Sequence, residues 1–169
     1  MISHQEIWDK EAENTILLLK SIFKDTAVDI QHIGSTAIKS ISAKPIIDIA
    51  VGMENIYDIN PYIELLNEEG IIFRKEDVPG QLLFVMGDFE KDIRTHHIHI
   101  VKWGSAEWSN YINFRDFLNV FPEYAKEYDG LKKKLALSFH DDRRSYTSGK
   151  QDLIEKILKQ AALWQLENK

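Results

Sequence analysis

The 169-residue sequence has no cysteine, only four prolines, and no apolar run approaching the roughly 18 residues a membrane-spanning helix needs. Without cysteine there is no disulfide, no zinc ribbon and no thiol nucleophile, and a reducing compartment fits. The opening Met1-Ile2-Ser3-His4-Gln5-Glu6 has no apolar stretch behind a basic one. It does not read as a signal peptide, and a cytoplasmic protein is the expectation. An excess of positive charge is lacking too. The formal net charge is −6, against generic nucleic-acid binding, which runs on clustered Lys and Arg. A local basic pocket for one small phosphorylated ligand is compatible with that total. At 44% hydrophobic and 28% charged residues, the balance is that of a globular domain, and the length suits one domain with a real core.

Trp8, Ala12, Ile16, Leu19 and Phe23 recur at helical spacing, which predicts an amphipathic helix over about 4–24 behind a Ser3–Glu6 capping box. Short strands are expected at 28–33 and 46–51, the second a nearly unbroken apolar run interrupted by Asp48. Asn60-Pro61 reads as a cap and first-turn proline of a helix closed by Gly70. Further strands are expected at 71–73, 82–86 and 95–101, separated by Pro79-Gly80 and Gly87-Asp88 turns. From Ser105 onward helical patterns take over, at about 106–120, 122–140 and 149–167. The reading is a single α/β (α+β, mixed-sheet) domain over 1–169, with the sheet in about 1–104 and a helical part in about 105–169.

Two features carry chemistry. In Lys44-Pro45-Ile46-Ile47-Asp48-Ile49-Ala50-Val51 the alternation of a strand places Ile47, Ile49 and Val51 on one face and Asp48 on the other. A carboxylate inside such a run is costly to bury unless paired, hydrogen-bonded or metal-bound. In His32-Ile33-Gly34-Ser35-Thr36-Ala37 a glycine and two hydroxyls follow a strand directly. Glycine lets backbone approach a ligand closely, and successive N–H groups with Ser35 and Thr36 can cradle a phosphate.

Together, a strand ending in Gly-Ser, twelve intervening residues and a strand carrying Asp resemble the opening of nucleotidyltransferase-fold enzymes. The whole stretch from His32 through Ile49 looks like the signature of the GrpB family. His97-Ile98-His99-Ile100-Val101 is similar to that family's His-containing strand. Phe114-Arg115-Asp116-Phe117-Leu118, Pro122-Glu123, Glu127-Tyr128, Leu131-Lys132 and Leu135-Ala136 match its helical segments, and Tyr146 with Lys150 its Tyr-x3-Lys. The resemblance implies a mixed sheet flanked by helices. Some members of the family are fused to dephospho-CoA kinase, which implies nucleotide or coenzyme metabolism.

This sequence departs from the full enzyme pattern. Nucleotidyltransferases commonly carry two carboxylates one residue apart, and Ala50 stands where the second would be. The neighbouring strand, where a third is usual, offers histidines. Alternation sends His97 and His99 to one face and His96 to the other. Three roles fit the pair. With Asp48 they would form a three-ligand site better suited to Zn²⁺, Mn²⁺ or Fe²⁺ than to Mg²⁺. They could instead hydrogen-bond a ligand phosphate or act as a base, or be half-buried strand residues satisfied by backbone.

Ser148-x-x-Gln151 reads as the cap of the last helix, with Lys150 in its first turn, where a cation opposes the helix dipole unless an anion binds there. Tyr146 lies just outside. Lys44 could pair with Asp48 or with phosphate, and Arg115 with Asp116. Lys132-Lys133-Lys134 reads as a solvated helix face. Trp103, Trp108, Tyr111 and Phe114 read as packing residues.

The expectation is therefore a nucleotide-binding, metal-assisted transferase moving a nucleotidyl group from a nucleoside triphosphate to a small acceptor. Gly34, Ser35 and Thr36 cradle phosphate. Asp48, His97 and His99 hold Mg²⁺, Mn²⁺ or Zn²⁺ or act on the acceptor, and Lys44, Tyr146 and Lys150 grip the anionic tail. Two alternatives stand beside it: a non-catalytic sensor of a nucleotide or other anionic ligand, and a transition-metal hydrolase built on Asp48, His97 and His99.

Overall fold

Trp8, Ala12, Leu19 and Phe23 lie buried along one stripe of the first helix, α1 (Glu6–Phe23), the apolar face its sequence periodicity requires. The computed structural model describes residues 1–78 and 80–169, and the backbone but not the side chain of Asp77. α1 starts differently from the capping-box reading. Gln5 is the capping residue and makes no side-chain bond to the helix; its amide donates instead to the Ser3 carbonyl.

Five strands follow: β1 (Asp29–Ile33), β2 (Ile47–Met53), β3 (Ile72–Val78), β4 (Gln81–Asp88) and β5 (Ile93–Lys102). They form one mixed sheet in the order β1-β2-β5-β4-β3. Only β2 and β5 run parallel. Between β2 and β3, Asn55 rather than Asn60 supplies the cap, accepting from the Tyr57 N–H, and Pro61 lies inside a 3-10 segment, Ile56–Tyr62. A short helix, α2 (Ile63–Glu68), then ends at Gly70, whose φ of +75° suits glycine. The expected Pro79-Gly80 turn falls on Pro79, which lies outside the described residues.

α1 covers one face of the sheet, burying Ile47, Ile49, Val51, Ile98 and Ile100. The other face carries a smaller cluster of Ile33, Ala50, Val101 and Trp108 under α3 (Ala106–Val120). α3 packs with α4 (Pro122–Ser138) and α6 (Gln151–Glu167) around Phe117, Leu118, Ala125, Ile157 and Ala161. Ile38 and Ile41, from the segment joining β1 to β2, enter that same cluster. Packing thus anchors the Gly34-Ser35 turn between the sheet and the helices. The expected final helix is α6, and an additional short helix, α5 (Arg143–Gly149), precedes it and meets it at Lys150. Among the described residues no helix is long and apolar enough to cross a membrane.

Candidate functional site

The parallel pairing of β2 with β5 sets Asp48 directly beside His97 and Ala50 beside His99. Paired residues on neighbouring strands point to the same side of a sheet. All four therefore face α3, and His96 turns the other way to meet the Thr15 hydroxyl on α1 at 3.1 Å. The alternation read from sequence is what the sheet shows. Asp48 Oδ1 lies 3.3 Å from His97 Nδ1 and 3.5 Å from His99 Nε2. Burial works to raise the Asp48 carboxyl, but hydrogen bonds from His97 and His99 and the charge on their rings outweigh it. The group is held below the usual carboxylate range.

These three side chains each offer one ligand atom, all within 4.8 Å of one another, and could hold a metal ion. The donor set of one carboxylate and two imidazoles suits a transition metal. His97 Nε2 is buried with no partner among the described residues. His99 is steadied from behind. Its Nδ1 lies 2.9 Å from the Gln81 side-chain amide, which is 2.6 Å from the Tyr111 hydroxyl. Such outer hydrogen bonds fix ring orientation at metal sites. Tyr111 therefore does more than pack.

Gly34 closes on this centre. Its φ of +72° and ψ of −170° are a region essentially reserved for glycine. A Cβ there would stand 2.6 Å from Asp48 Oδ2. Ser35 follows, and the sequence reading missed what holds it. Lys132, expected on a solvated face, is buried at 2% exposure. Its Nζ donates to Ser35 Oγ at 3.2 Å and to the Ser42 carbonyl. Burial pushes its ammonium down to about 8. Burial also pushes the Tyr128 phenol up to about 12, with a hydrogen bond to Ser35 pulling the other way. Lys133 behaves as expected of a surface lysine and pairs with Asp129.

Thr36 turns inward. Its hydroxyl lies 2.9 Å from His32 Nε2 and donates to the Ile46 carbonyl at 3.3 Å, so it locks the turn rather than facing the cleft. Burial pushes His32 down to about 4, against the charges of Asp9 and Asp48. Arg115 also holds the turn from behind, bonding Asp116, the Gln31 side chain and the His32 carbonyl.

Tyr146 and Lys150 do reach the centre, but not from a free helix start. Lys150, not Ser148, stands at the capping position of α6, and its N–H bonds carbonyls of α5. The helix-dipole argument for an anion at α6 therefore fails, and the case rests on side chains. Lys150 Nζ lies 4.5 Å and Lys44 Nζ 5.3 Å from the centre of the Tyr146 ring. Burial, and then the charge of Lys44, push the Lys150 ammonium below its usual range. Ser35, Lys44, Asp48, Lys132, Tyr146 and Lys150 share one small cavity of about 150 Å³. It adjoins a larger one of about 840 Å³ that takes in Gly34, Asp48, His97 and His99.

The family model described as GrpB protein matches residues 1–160. The chain belongs to the GrpB family. It is 38% identical to the glutamate-rich protein GrpB of Alkalihalophilus pseudofirmus over 94% of this chain and 92% of that one. It is 34% identical to the UPF0157 protein YqkA of Bacillus subtilis, spanning 94% of this chain but only 45% of that protein. The crystal structure of conserved protein GrpB from Enterococcus faecalis superposes with a TM-score of 0.85 at 32% identity, covering 94% of each chain. A Cid1 poly(U) polymerase structure with Mg 3'-dATP bound matches at a TM-score of 0.50 and 13% identity, over 88% of this chain and 49% of that one. That last likeness is one of fold, and the fold is nucleotidyltransferase-like.

Proposed function

We propose that this GrpB-family chain binds a nucleoside triphosphate with a divalent metal and transfers its nucleotidyl group to a small acceptor. One observation carries the reading: the Gly34-Ser35 turn, the Asp48–His97–His99 cluster and three lysines from separate elements converge on adjoining cavities. Backbone N–H groups of the turn and the Ser35 hydroxyl face bound phosphate, with Lys132 behind them and Lys44 and Lys150 beside. Desolvated ammonium groups bind phosphate more strongly than exposed ones do. Asp48, His97 and His99 are the residues that would hold the ion, which when bound supplies Lewis-acid stabilisation of charge on the α-phosphoryl oxygens. The Asp48 carboxyl is held below the usual carboxylate range by His97 and His99, so its ligand oxygen is ready at neutral pH. The lysines offset charge growing on the leaving pyrophosphate.

Ala50 favours a second reading, a sensor that binds the triphosphate and releases it unchanged. The two differ in turnover. Thermal unfolding with the four ribonucleoside triphosphates, each with Mg²⁺, Mn²⁺ or Zn²⁺, tests the site. About 2.7 kcal/mol of stabilisation is expected at a hundredfold excess of ligand over its Kd. The shift should need metal and vanish in Asp48→Ala. Pyrophosphate release then separates transferase from sensor. A chain that takes up transition metal tightly yet shows no shift with any triphosphate would abandon both readings for a metal hydrolase.

A further inference from the structure

Two irregularities of the sheet bear on the cleft. In β3, Phe73 pairs with Phe84 and Lys75 with Leu83, so two residues advance on β3 for one on β4. In β5, His96 pairs with Met86 and Arg94 with Gly87, again an extra residue. A bulge re-aims the side chains that follow it. Leu83 and His99 pair with each other and share the cleft face. The first bulge brings Lys75 onto that face next to Arg74. The second brings Arg94 onto it, where regular alternation would have turned it with His96 toward α1. The second bulge also depends on glycine, since a Cβ on Gly87 would stand 2.0 Å from the Ile93 carbonyl oxygen. Arg74, Lys75 and Arg94 thereby line the larger cavity together with Asp48, His97 and His99. Among the described residues, the side chains of Arg74 and Arg94 make no ion pair or hydrogen bond. In a chain of net charge −6, guanidinium groups brought by bulges into a cleft and left unpaired are placed for an anion.

The larger cavity is also short of acids. Asp48 is the one carboxylate lining that cavity among the described residues. Its two histidines are gathered on it, and Ala50, where a second acid would stand, is fully buried against Ile33, Val101 and Trp108. A hydroxyl acceptor would need a group to take its proton. A phosphate monoester would not, because its second ionisation, near pH 6, leaves a charged oxygen at neutral pH.

We infer that the acceptor is itself a phosphate monoester, held by Arg74 and Arg94, and that the product is a diphosphate-linked nucleotide. This rests on the nucleotidyl-transfer reading above. An acceptor phosphate oxygen bonds the α-phosphorus as the bond from that phosphorus to the β-phosphate's bridging oxygen breaks. The electron pair leaves with pyrophosphate, and no proton is taken from the acceptor.

The test is calorimetric and needs no turnover. The protein with Mn²⁺ is titrated with the α,β-methylene triphosphates of the four ribonucleosides, then the complex that forms is titrated with ribose 5-phosphate and with ribose. Ribose 5-phosphate should bind alongside the triphosphate analogue while ribose does not. In Arg74→Ala/Arg94→Ala its Kd should rise at least about tenfold, while the analogue's Kd moves by less than about threefold. Ribose 5-phosphate that displaces the analogue, fails to bind its complex, or binds the double variant equally well overturns the phosphate-acceptor inference and leaves the transferase reading standing. Failure of every triphosphate analogue to bind overturns the transferase reading, and this inference with it.

Discussion

Gly34 and Asp48 are in contact across the β1–β2 pair, so close that the position of a missing Cβ is 2.6 Å from the Asp48 carboxylate. The glycine's φ of +72° turns the chain so that the Ser35 hydroxyl and the acid address the same space. Gly34→Ala pushes its Cβ against Asp48, displacing it from His97 and His99, and keeps a side chain in a region that costs about 1–3 kcal/mol. Denaturant unfolding should show a loss of that size. Metal affinity, followed by titration with Mn²⁺, should fall with it.

His32 supports the same turn and gives it a pH dependence. Burial holds its imidazole at about 4, against an ordinary 6.5. Between those values the unfolded chain takes up a proton that the folded chain refuses, so stability falls as pH drops through that window. The full shift corresponds to on the order of 3 kcal/mol. His32→Gln should flatten the fall in denaturation midpoint between pH 6.5 and 4 relative to the wild type. An unchanged slope would assign the acid sensitivity to other groups.

Lys132 titrates in the opposite range. Buried beside Ser35, it falls from an ordinary 10.5 to about 8. From pH 8 to 10.5 the unfolded chain still holds the proton the folded chain has shed, so this lysine makes stability rise with pH. Between pH 7.5 and 10 the unfolding free energy of the wild type should rise relative to that of Lys132→Met by an amount on the order of 3 kcal/mol. The same variant should bind a metal-triphosphate at least about tenfold more weakly, since a charge-assisted hydrogen bond is lost.

Where the sequence was legible, and where it was not, follows from which interactions set each side chain. Asp48, His97 and His99 were readable because a strand's alternation is local and β2 and β5 are regular at those positions. The α3 bounds, Ala106 to Val120, agree with the spacing, and its Ser105 cap is a local signal. Lys132 was not readable. Three successive lysines point in different directions around a helix, and only the packing of α4 on the β1–β2 connection decides which is buried. Arg74 and Arg94 were hidden for another reason. A bulge displaces the alternation by one residue and arises from pairing with a strand elsewhere in the chain. Thr36 reads like a phosphate ligand beside Ser35, but its side chain answers to His32 and Ile46. The helix starts misread from sequence, Ser3 and Ser148, carry the right residue type, but Gln5 holds the capping position of α1 and Lys150 that of α6.

Ala50 makes the sharpest comparison between pattern and packing. Restoring the paired-acid pattern with Ala50→Asp looks like a gain of a metal ligand. Ala50 is fully buried, however, in the cluster of Ile33, Val101 and Trp108 under α3. A carboxylate there is an uncompensated buried charge, costing about 3–5 kcal/mol when unpaired. Urea unfolding should show a loss of at least about 3 kcal/mol, with no tightening of Mn²⁺ binding. The alternative outcome, a stable variant that binds Mn²⁺ more tightly, would mean that α3 yields to admit a second acid. The phosphate-acceptor argument would then lose its support from Ala50, because this sheet could house the second ligand that hydroxyl activation calls for.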